Sequence, residues 1–395
     1  MKQWKWAVVA ASCAVVLAGC GGASDGSNTT PKSVVSSVKV FGDSVMDSGT
    51  FGYKFTIQSS DAANPFLIAP EIVAANFGVG PLCPFFNNST FDSATFTQKA
   101  SCTNFAVAGA HINNATNTTN PGNTNAYSIP YQLGVGSTTL VPTDMVIVDG
   151  GGNDLSQLIG AYLLAGTSQA AAGAFIGLVG TVVPAATLGG ILGTTPTQQS
   201  MGLAAGAYAY GVGTILATSV KTYVVAKGVS KVVVINAPDV TLVPEFNAIL
   251  AGVAAQAGTA QRDAVQAAAR AWTQALNKGI ADGLAGTNVQ IYDLYTEGAR
   301  IFATPAQFGL TNVTKASCPT VAGGVSTTTG VPQLTFPVTV AACTSANMSA
   351  KIPAGETSAN WWQSYAYADY LHPSPALHKL IGQSINLQLA KAGWL

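Results

Sequence analysis

Four short apolar runs, Val34–Phe41, Met145–Val148, Val232–Ile235 and Val289–Tyr292, end in polar or Gly-bearing turns, and a weaker one lies near Asn104–Val107. Each is rich in β-branched residues and too continuous for a strand with one wet face, as expected of parallel strands covered on both faces. Ala-rich stretches of helical length stand between them, notably Gly202–Val225 and Ala254–Ala285. The alternation predicts an α/β fold: a doubly wound parallel sheet of about five strands in a three-layer α/β/α sandwich. Ligands of such sheets bind beyond the carboxyl ends of the strands. Asp43-Ser44 follow the first run, Gly109 the weak one, and Gly151-Gly152-Asn153-Asp154 the Met145–Val148 run.

Two segments interrupt this pattern. Leu155–Val220 contains no Asp, Glu, Lys, Arg or His. A membrane span is one reading, but Pro184, scattered Gly and Thr/Ser/Gln patches break any long apolar helix. Buried helices with a mobile apolar flap beside the site are the favoured expectation, and plain core helices the alternative. Ser317–Thr344 is rich in Thr, Val and Gly and reads as a disulfide-pinned loop or hairpin.

Composition narrows the function. Of 395 residues only 9% are charged and the formal net charge is zero, which argues against nucleic acid as a partner. Apolar residues make up 48%, far too many for disorder. Lys2 and Lys5 precede an apolar run from Trp6 to Ala18, so residues 1–19 read as an export signal. Leu17-Ala18-Gly19-Cys20 resembles the lipobox of bacterial lipoproteins, in which Cys20 would be lipidated and anchored in a membrane; an ordinary secretory signal is the alternative. Residues 20–33 then form a flexible tether, and residues 34–395 one large domain, read as a monomer. Four cysteines remain: Cys83, Cys102, Cys318 and Cys343. Three pairings are open. Proximity favours Cys83–Cys102 and Cys318–Cys343, each closing a loop of about 20 residues and stabilising by roughly 3 kcal/mol. With no CxxC, neither a redox motif nor a zinc site is expected.

The chemistry-bearing residues stand far apart in the chain. Ser44 lies in a Gly-Asp-Ser turn after an apolar run, and Asp369-Tyr370-Leu371-His372-Pro373 lies near the other end. A serine is a weak nucleophile until a base takes its proton, and the base needs a partner that holds its tautomer. Pro373 disfavours helix at His372 and keeps the pair in a loop. Of the other histidines, His378 falls in the apolar-periodic helix Ala376–Leu389 and reads as structural. His111, two residues past Gly109, is the rival base or a substrate contact. Asp43 and Asp47 read as turn-holding carboxylates, and Asp154 as a structural hydrogen-bonding residue.

Four ordered blocks together resemble the GDSL, or SGNH, family of esterases and lipases. They are Phe41-Gly42-Asp43-Ser44 with Asp47-Ser48-Gly49, Asn104 to Ala110, Gly151-Gly152-Asn153-Asp154, and Asp369 to Pro373. The likeness extends to Val233–Asp239 and Phe308–Val313; Val45-Met46 departs from the family's usual Leu or Ile. The resemblance implies a flavodoxin-like SGNH-hydrolase fold and a triad of Ser44, His372 and Asp369. It also implies an oxyanion hole made by the Ser44 N–H, the Gly109 N–H and the Asn153 amide. No metal or other cofactor is needed. The implied activity is ester hydrolysis through a Ser44 acyl-enzyme, on a small-molecule or lipid ester. Acyl transfer or polysaccharide deacetylation on the same machinery is the alternative, and a non-catalytic surface-binding lipoprotein the remote one. The lipobox-like segment, followed by Gly21 where an inner-membrane retention signal would prefer Asp, points to the outer membrane or cell surface, with the secreted fraction as the alternative. There is no G-x-S-x-G elbow, HExxH, P-loop or GxGxxG after a strand.

Overall fold

The structure is a computed structural model and describes residues 34–90, 93, 95–116, 121–318 and 343–395. The expectations about the signal, Cys20 and the tether fall outside those residues, as does most of the Ser317–Thr344 segment.

The four apolar runs become the parallel strands β1 (Val38–Phe41), β2 (Met145–Val148), β3 (Lys231–Ile235) and β4 (Gln290–Tyr292), in spatial order β1-β2-β3-β4. Val38 is in register with Met145, Met145 with Lys231 and Val233 with Gln290. Between and after them come α1 (Ala69–Asn76), α2 (Ile129–Gly136), α3 (Gly152–Ala165), α4 (Gln169–Gly180), α5 (Ala185–Leu192), α6 (Gln198–Tyr223), α7 (Pro244–Leu284), α8 (Leu294–Ala303) and α9 (Pro375–Lys391). Their starts obey local chemistry. The Ser128 hydroxyl caps α2, Thr197 and Ser200 form a capping box on α6, and Ser374 followed by Pro375 opens α9.

Alternate residues of each strand enter two separate cores, as the pleat requires. Val40, Ile147 and Val233 pack with Val73 of α1, Ile301 of α8 and Ile381 of α9. Val146, Val148 and Val234 pack with Leu133 of α2, Leu155 of α3, Leu216 of α6 and Leu276 of α7. The sheet is therefore buried on both faces, and the fold is mixed α/β with a four-stranded parallel sheet.

The expected fifth strand is absent as a regular element. Asn104 makes only parallel bridges, to Val40 and Pro84. The segment still lies along β1, through Val40 N to Thr103 O, Phe105 N to Val40 O and Val107 N to Gly42 O. What disrupts it is the Asn104 side chain, whose Oδ1 accepts the Ala106 N–H at 2.9 Å while its Nδ2 donates to Met46 O at 2.7 Å. A side chain that binds its own backbone in this way bends the chain out of an even ladder.

The charge-free Leu155–Val220 segment divides. One stripe of α3 and one of α6 are core, whereas α4 buries only Phe175, Leu178 and Val179, and α5 only Leu188 and Leu192. Helix α6 has the length and hydropathy of a membrane span, but it packs against α7 at glycines. A Cβ on Gly213 would stand 2.0 Å from the Leu276 carbonyl oxygen, and one on Gly279 2.1 Å from that of Tyr210. Helix α7 itself is broken at Gly258 (φ +84°, ψ 170°), a conformation that only glycine adopts without strain.

Both disulfides form as proximity suggested, Cys83–Cys102 and Cys318–Cys343. Paired cysteines fit an oxidising, non-cytoplasmic compartment.

Candidate active site

The chain leaves β1 for the Asn104 segment on one side of that strand, then returns to β2 on the other. Strand order thus reverses between β1 and β2, the position at which open α/β sheets bind ligands. Three of the candidate segments converge there: Gly42–Ser44 from the end of β1, Gly109 from the end of the Asn104 segment, and Asp149–Asn153 from the end of β2.

The fourth arrives from the C-terminal part. Strand β5 (Asn312–Ala316) pairs with β6 (Tyr365–Tyr367), and the ladder continues through Cys318 N to Ala368 O. Next comes the loop Asp369–His372. The Cys318–Cys343 disulfide packs with Trp361, Trp362 and Tyr365 directly behind it. Cys83–Cys102 does the same for the other wall, since Asn104 N donates to Cys83 O. Each staple thus steadies a segment that leads into one side of the site.

His372 Nε2 lies 2.8 Å from Ser44 Oγ, across a sequence separation of 328 residues. Its Nδ1 lies 2.7 Å from Asp369 Oδ2. Asp369 Oδ1 accepts the N–H groups of Leu371 at 2.8 Å and His372 at 2.7 Å. With the carboxylate at Nδ1, the imidazole carries its proton there and presents a bare Nε2 to the serine hydroxyl. Ser44 and His372 are buried, 4% and 1% exposed, and the Phe55 ring stands against the imidazole at 5.1 Å.

Four carboxylates hold the opposite wall in place. Asp47 accepts N–H groups from Gly49, Thr50 and Ala108, which ties the turn after Ser44 to the approach to Gly109. Asp154 accepts those of Ile112 and Asn113, fastening the far side of the Gly109 loop to the start of α3. Asp43 accepts the Val45 N–H, and its own N–H is donated to Asp149 Oδ1 at 3.2 Å. Asp43, Asp47 and Asp154 are thus spent on backbone N–H groups, in keeping with a structural reading of all three. Gly42 must be glycine, because a Cβ there would lie 1.6 Å from Asp149 Oδ1. Gln132 completes the clamp, its amide bonding both the N–H and the carbonyl of Gly42.

Asn153 Nδ2 donates to Ala110 O at 2.8 Å, which aims the carboxamide at the Gly109 turn (φ +81° at Gly109) and leaves its second N–H. Asn153 and Ser44 line one cavity of about 150 Å³. Its other walls are largely apolar: Ile159 of α3, Phe246 and Ile249 of α7, Leu294 of α8 and Leu377 of α9. Neither remaining histidine belongs to the Ser44–His372–Asp369 chain of hydrogen bonds. His111 Nδ1 pairs with Gly109 O at 2.9 Å. His378 is buried in α9 and held neutral by that burial, its pKa near 3.

Sequence reasoning missed Asp149, Gln132 and Glu245. Asp149 left a signal: an acidic residue closing an otherwise apolar strand just before three glycines. Gln132 and Glu245 left none, since each looks like an ordinary helix residue.

The electrostatics set opposite pH dependences for activity and stability. Burial depresses His372, but the charges of Asp369, Asp43 and Glu245 outweigh it and raise its pKa above the usual 6.5. Burial lifts Asp369, yet the His372 imidazolium and the N–H donors bring it below 3.8. A base works unprotonated, so the acid limb of kcat/KM for any reaction using His372 is expected above pH 6.5. Stability has the other sign. Burial pushes Asp47 up to about 6 and Glu245 up to about 7. A raised pKa means that the folded chain keeps a proton the unfolded chain has lost, so that contribution fades between the ordinary value and the folded one. The windows are pH 3.8 to about 6 for Asp47 and 4.5 to about 7 for Glu245. Asp369 acts oppositely, its contribution disappearing as pH falls below 3.8. His378 works the other way, since its pKa near 3 means that the unfolded chain takes up a proton the folded chain refuses as pH falls below 6.5. Tm is therefore expected to decline from about pH 6.5 towards about pH 8, as Glu245 and His372 lose their protons; a thermal-shift series that rises over that range would contradict these assignments.

No family model matches the chain, and no curated protein matches it either.

Proposed function

We propose that this chain is a carboxylic-ester hydrolase of the GDSL (SGNH) type, with Ser44 as nucleophile, His372 as base and Asp369 as its orienter. One observation carries the reading: the unbroken hydrogen-bond chain Ser44–His372–Asp369, at 2.8 and 2.7 Å, assembled from opposite ends of the polypeptide. The four ordered sequence blocks support it, because residues of three of them line one cavity and the Asn104 to Ala110 block is hydrogen-bonded to two of those through Asp47 and Asn153. So does the fold. With the Asn104 segment counted as an irregular strand beside β1, the order is the flavodoxin-like 2-1-3-4-5, with helices against both faces.

In this mechanism Ser44 Oγ bonds to the ester carbonyl carbon while its proton passes to His372 Nε2. The carbonyl oxygen, now an oxyanion, receives the N–H groups of Ser44 and Gly109 and the second N–H of Asn153. Collapse breaks the bond to the alcohol oxygen, which takes the proton from Nε2. Water then repeats the cycle on the acyl-enzyme, releasing the acid and free Ser44. Asn153→Ala removes one oxyanion donor and is expected to lower kcat by about 10²–10³-fold with a smaller change in KM. A rise in KM with kcat intact would place Asn153 in ground-state binding instead.

The apolar cavity walls favour an acyl chain over a bare acetyl group, and thus esterase or lipase activity over polysaccharide deacetylation. Acyl transfer would need an alcohol to displace water from the same acyl-enzyme. We further propose export, with Cys20 as a lipid anchor to the outer membrane or cell surface. Incubation with a fluorophosphonate probe tests the central assignment. Mass spectrometry is expected to find the adduct on the Ser44 peptide; labelling elsewhere, or none, would sink it.

A further inference from the structure

Glu245 is the second residue of α7, a position where an acidic side chain usually sits in solvent and complements the helix dipole. Here it is 6% exposed and lines the same cavity as Ser44 and Asn153. Its Oε1 has no hydrogen-bond partner among the described residues. Its backbone N–H is donated to the Tyr370 carbonyl at 3.0 Å, inside the loop that carries Asp369 and His372. The start of α7 is therefore fixed against the triad, and the charges of His372 and Asp369 both act on the Glu245 carboxyl.

Other carboxylates in the cavity wall are engaged. Asp43 holds the Val45 N–H, Asp149 that of Asp43, and Asp239 both Thr241 and Arg270. No lysine or arginine lines the cavity among the described residues. A buried carboxyl oxygen without a donor is costly to maintain, and a donor brought by a ligand would remove that cost.

We propose that Glu245 is a substrate-binding residue that receives a hydroxyl group carried close to the scissile ester, so that the preferred substrates are hydroxylated esters. The proposal rests on the ester-hydrolase reading of Ser44. A hydroxyl suits the site better than a cation. The walls are mostly apolar, and a hydroxyl both donates to a carboxylate and accepts from a carboxylic acid. Glu245 changes between those forms near neutral pH, since burial pushes its pKa to about 7.

Two pairs of esters distinguish where the hydroxyl resides: ethyl butanoate against ethyl β-hydroxybutanoate for the acyl side, and ethyl butanoate against glyceryl monobutanoate for the alcohol side. Hydrolysis is followed by pH-stat with the wild-type chain, Glu245→Leu and Glu245→Gln. The wild type is expected to favour the hydroxylated member of one pair by about tenfold or more in kcat/KM, and Glu245→Leu to bring that ratio to about 1. Glu245→Gln should keep part of it, because an amide also donates and accepts. Removing an unpartnered buried carboxyl should also raise the Tm of Glu245→Leu at pH 8 by about 1 °C or more. Equal rates within both pairs, or a preference that survives Glu245→Leu, would overturn the proposal. A lowered Tm would do so too, by revealing a partner inside the protein. Fluorophosphonate labelling of Ser44, run in parallel, separates the failures. A labelled Ser44 without hydroxyl preference sinks only the role of Glu245, whereas an unlabelled one removes the hydrolase reading beneath it.

Discussion

Ser44→Ala is expected to lower kcat for p-nitrophenyl ester hydrolysis by on the order of 10⁴–10⁶-fold, with His372→Ala close behind and the double variant no worse than either. On the proposed mechanism the two side chains act as one device. Without the hydroxyl there is no acyl-enzyme, and without the imidazole the hydroxyl keeps its proton. The residual rate would come from the oxyanion donors and from binding, which both variants retain. Single-turnover kinetics should show the burst of p-nitrophenol vanish in Ser44→Ala. A Ser44→Ala chain retaining more than about a hundredth of the wild-type activity would eliminate the proposed acyl-enzyme mechanism. A double variant slower by the product of the two single effects would mean that Ser44 and His372 work independently, against the 2.8 Å contact between them.

The second large effect concerns the fold. Gly213→Ala and Gly279→Ala are each expected to destabilise the chain by about 3 kcal/mol or more. The new methyl groups would lie 2.0 Å from Leu276 O and 2.1 Å from Tyr210 O, so α6 and α7 must separate. These contacts are with backbone, which cannot rotate away as a side chain can. Separation would loosen the core that Leu216 and Leu276 share beneath the sheet. Gly252→Ala is the control. It lies in the part of α7 before the Gly258 break, a methyl group added there would meet nothing within 4 Å, and alanine is the better helix former, so stability should hold or improve by up to about 1 kcal/mol. Denaturant titrations measure all three. Equal midpoints for Gly279→Ala and Gly252→Ala would show that α6 and α7 do not cross as closely as described.

Much of the candidate site was legible in the sequence. Ser44, His372 and Asp369 belong to short local patterns, and the ends of apolar runs mark where a parallel sheet presents its loops. The paired cysteines were legible for a similar reason, since each pair closes a short loop. Other features depended on contacts remote in sequence. Gln132 clamps Gly42 from 90 residues away, and Asp149 closes on it from the end of the neighbouring strand. Nothing beside either residue in the chain names its partner. The expected fifth strand failed because the Asn104 side chain bonds to its own backbone and to Met46 O, a competition that hydrophobic pattern does not report.

Local chemistry, then, was determined by the sequence alone: which four apolar runs are the strands of the main sheet, and which serine, histidine and aspartate could form a relay. Only the tertiary structure decided which residues face one another across the cavity. It left Glu245 buried without a donor for Oε1, and it turned one stripe of a membrane-like α6 into core. The physical reason is range. Propensity and periodicity act over a few residues, whereas burial, and the polar partner a buried group finds or lacks, depend on segments that meet only once the whole chain has folded.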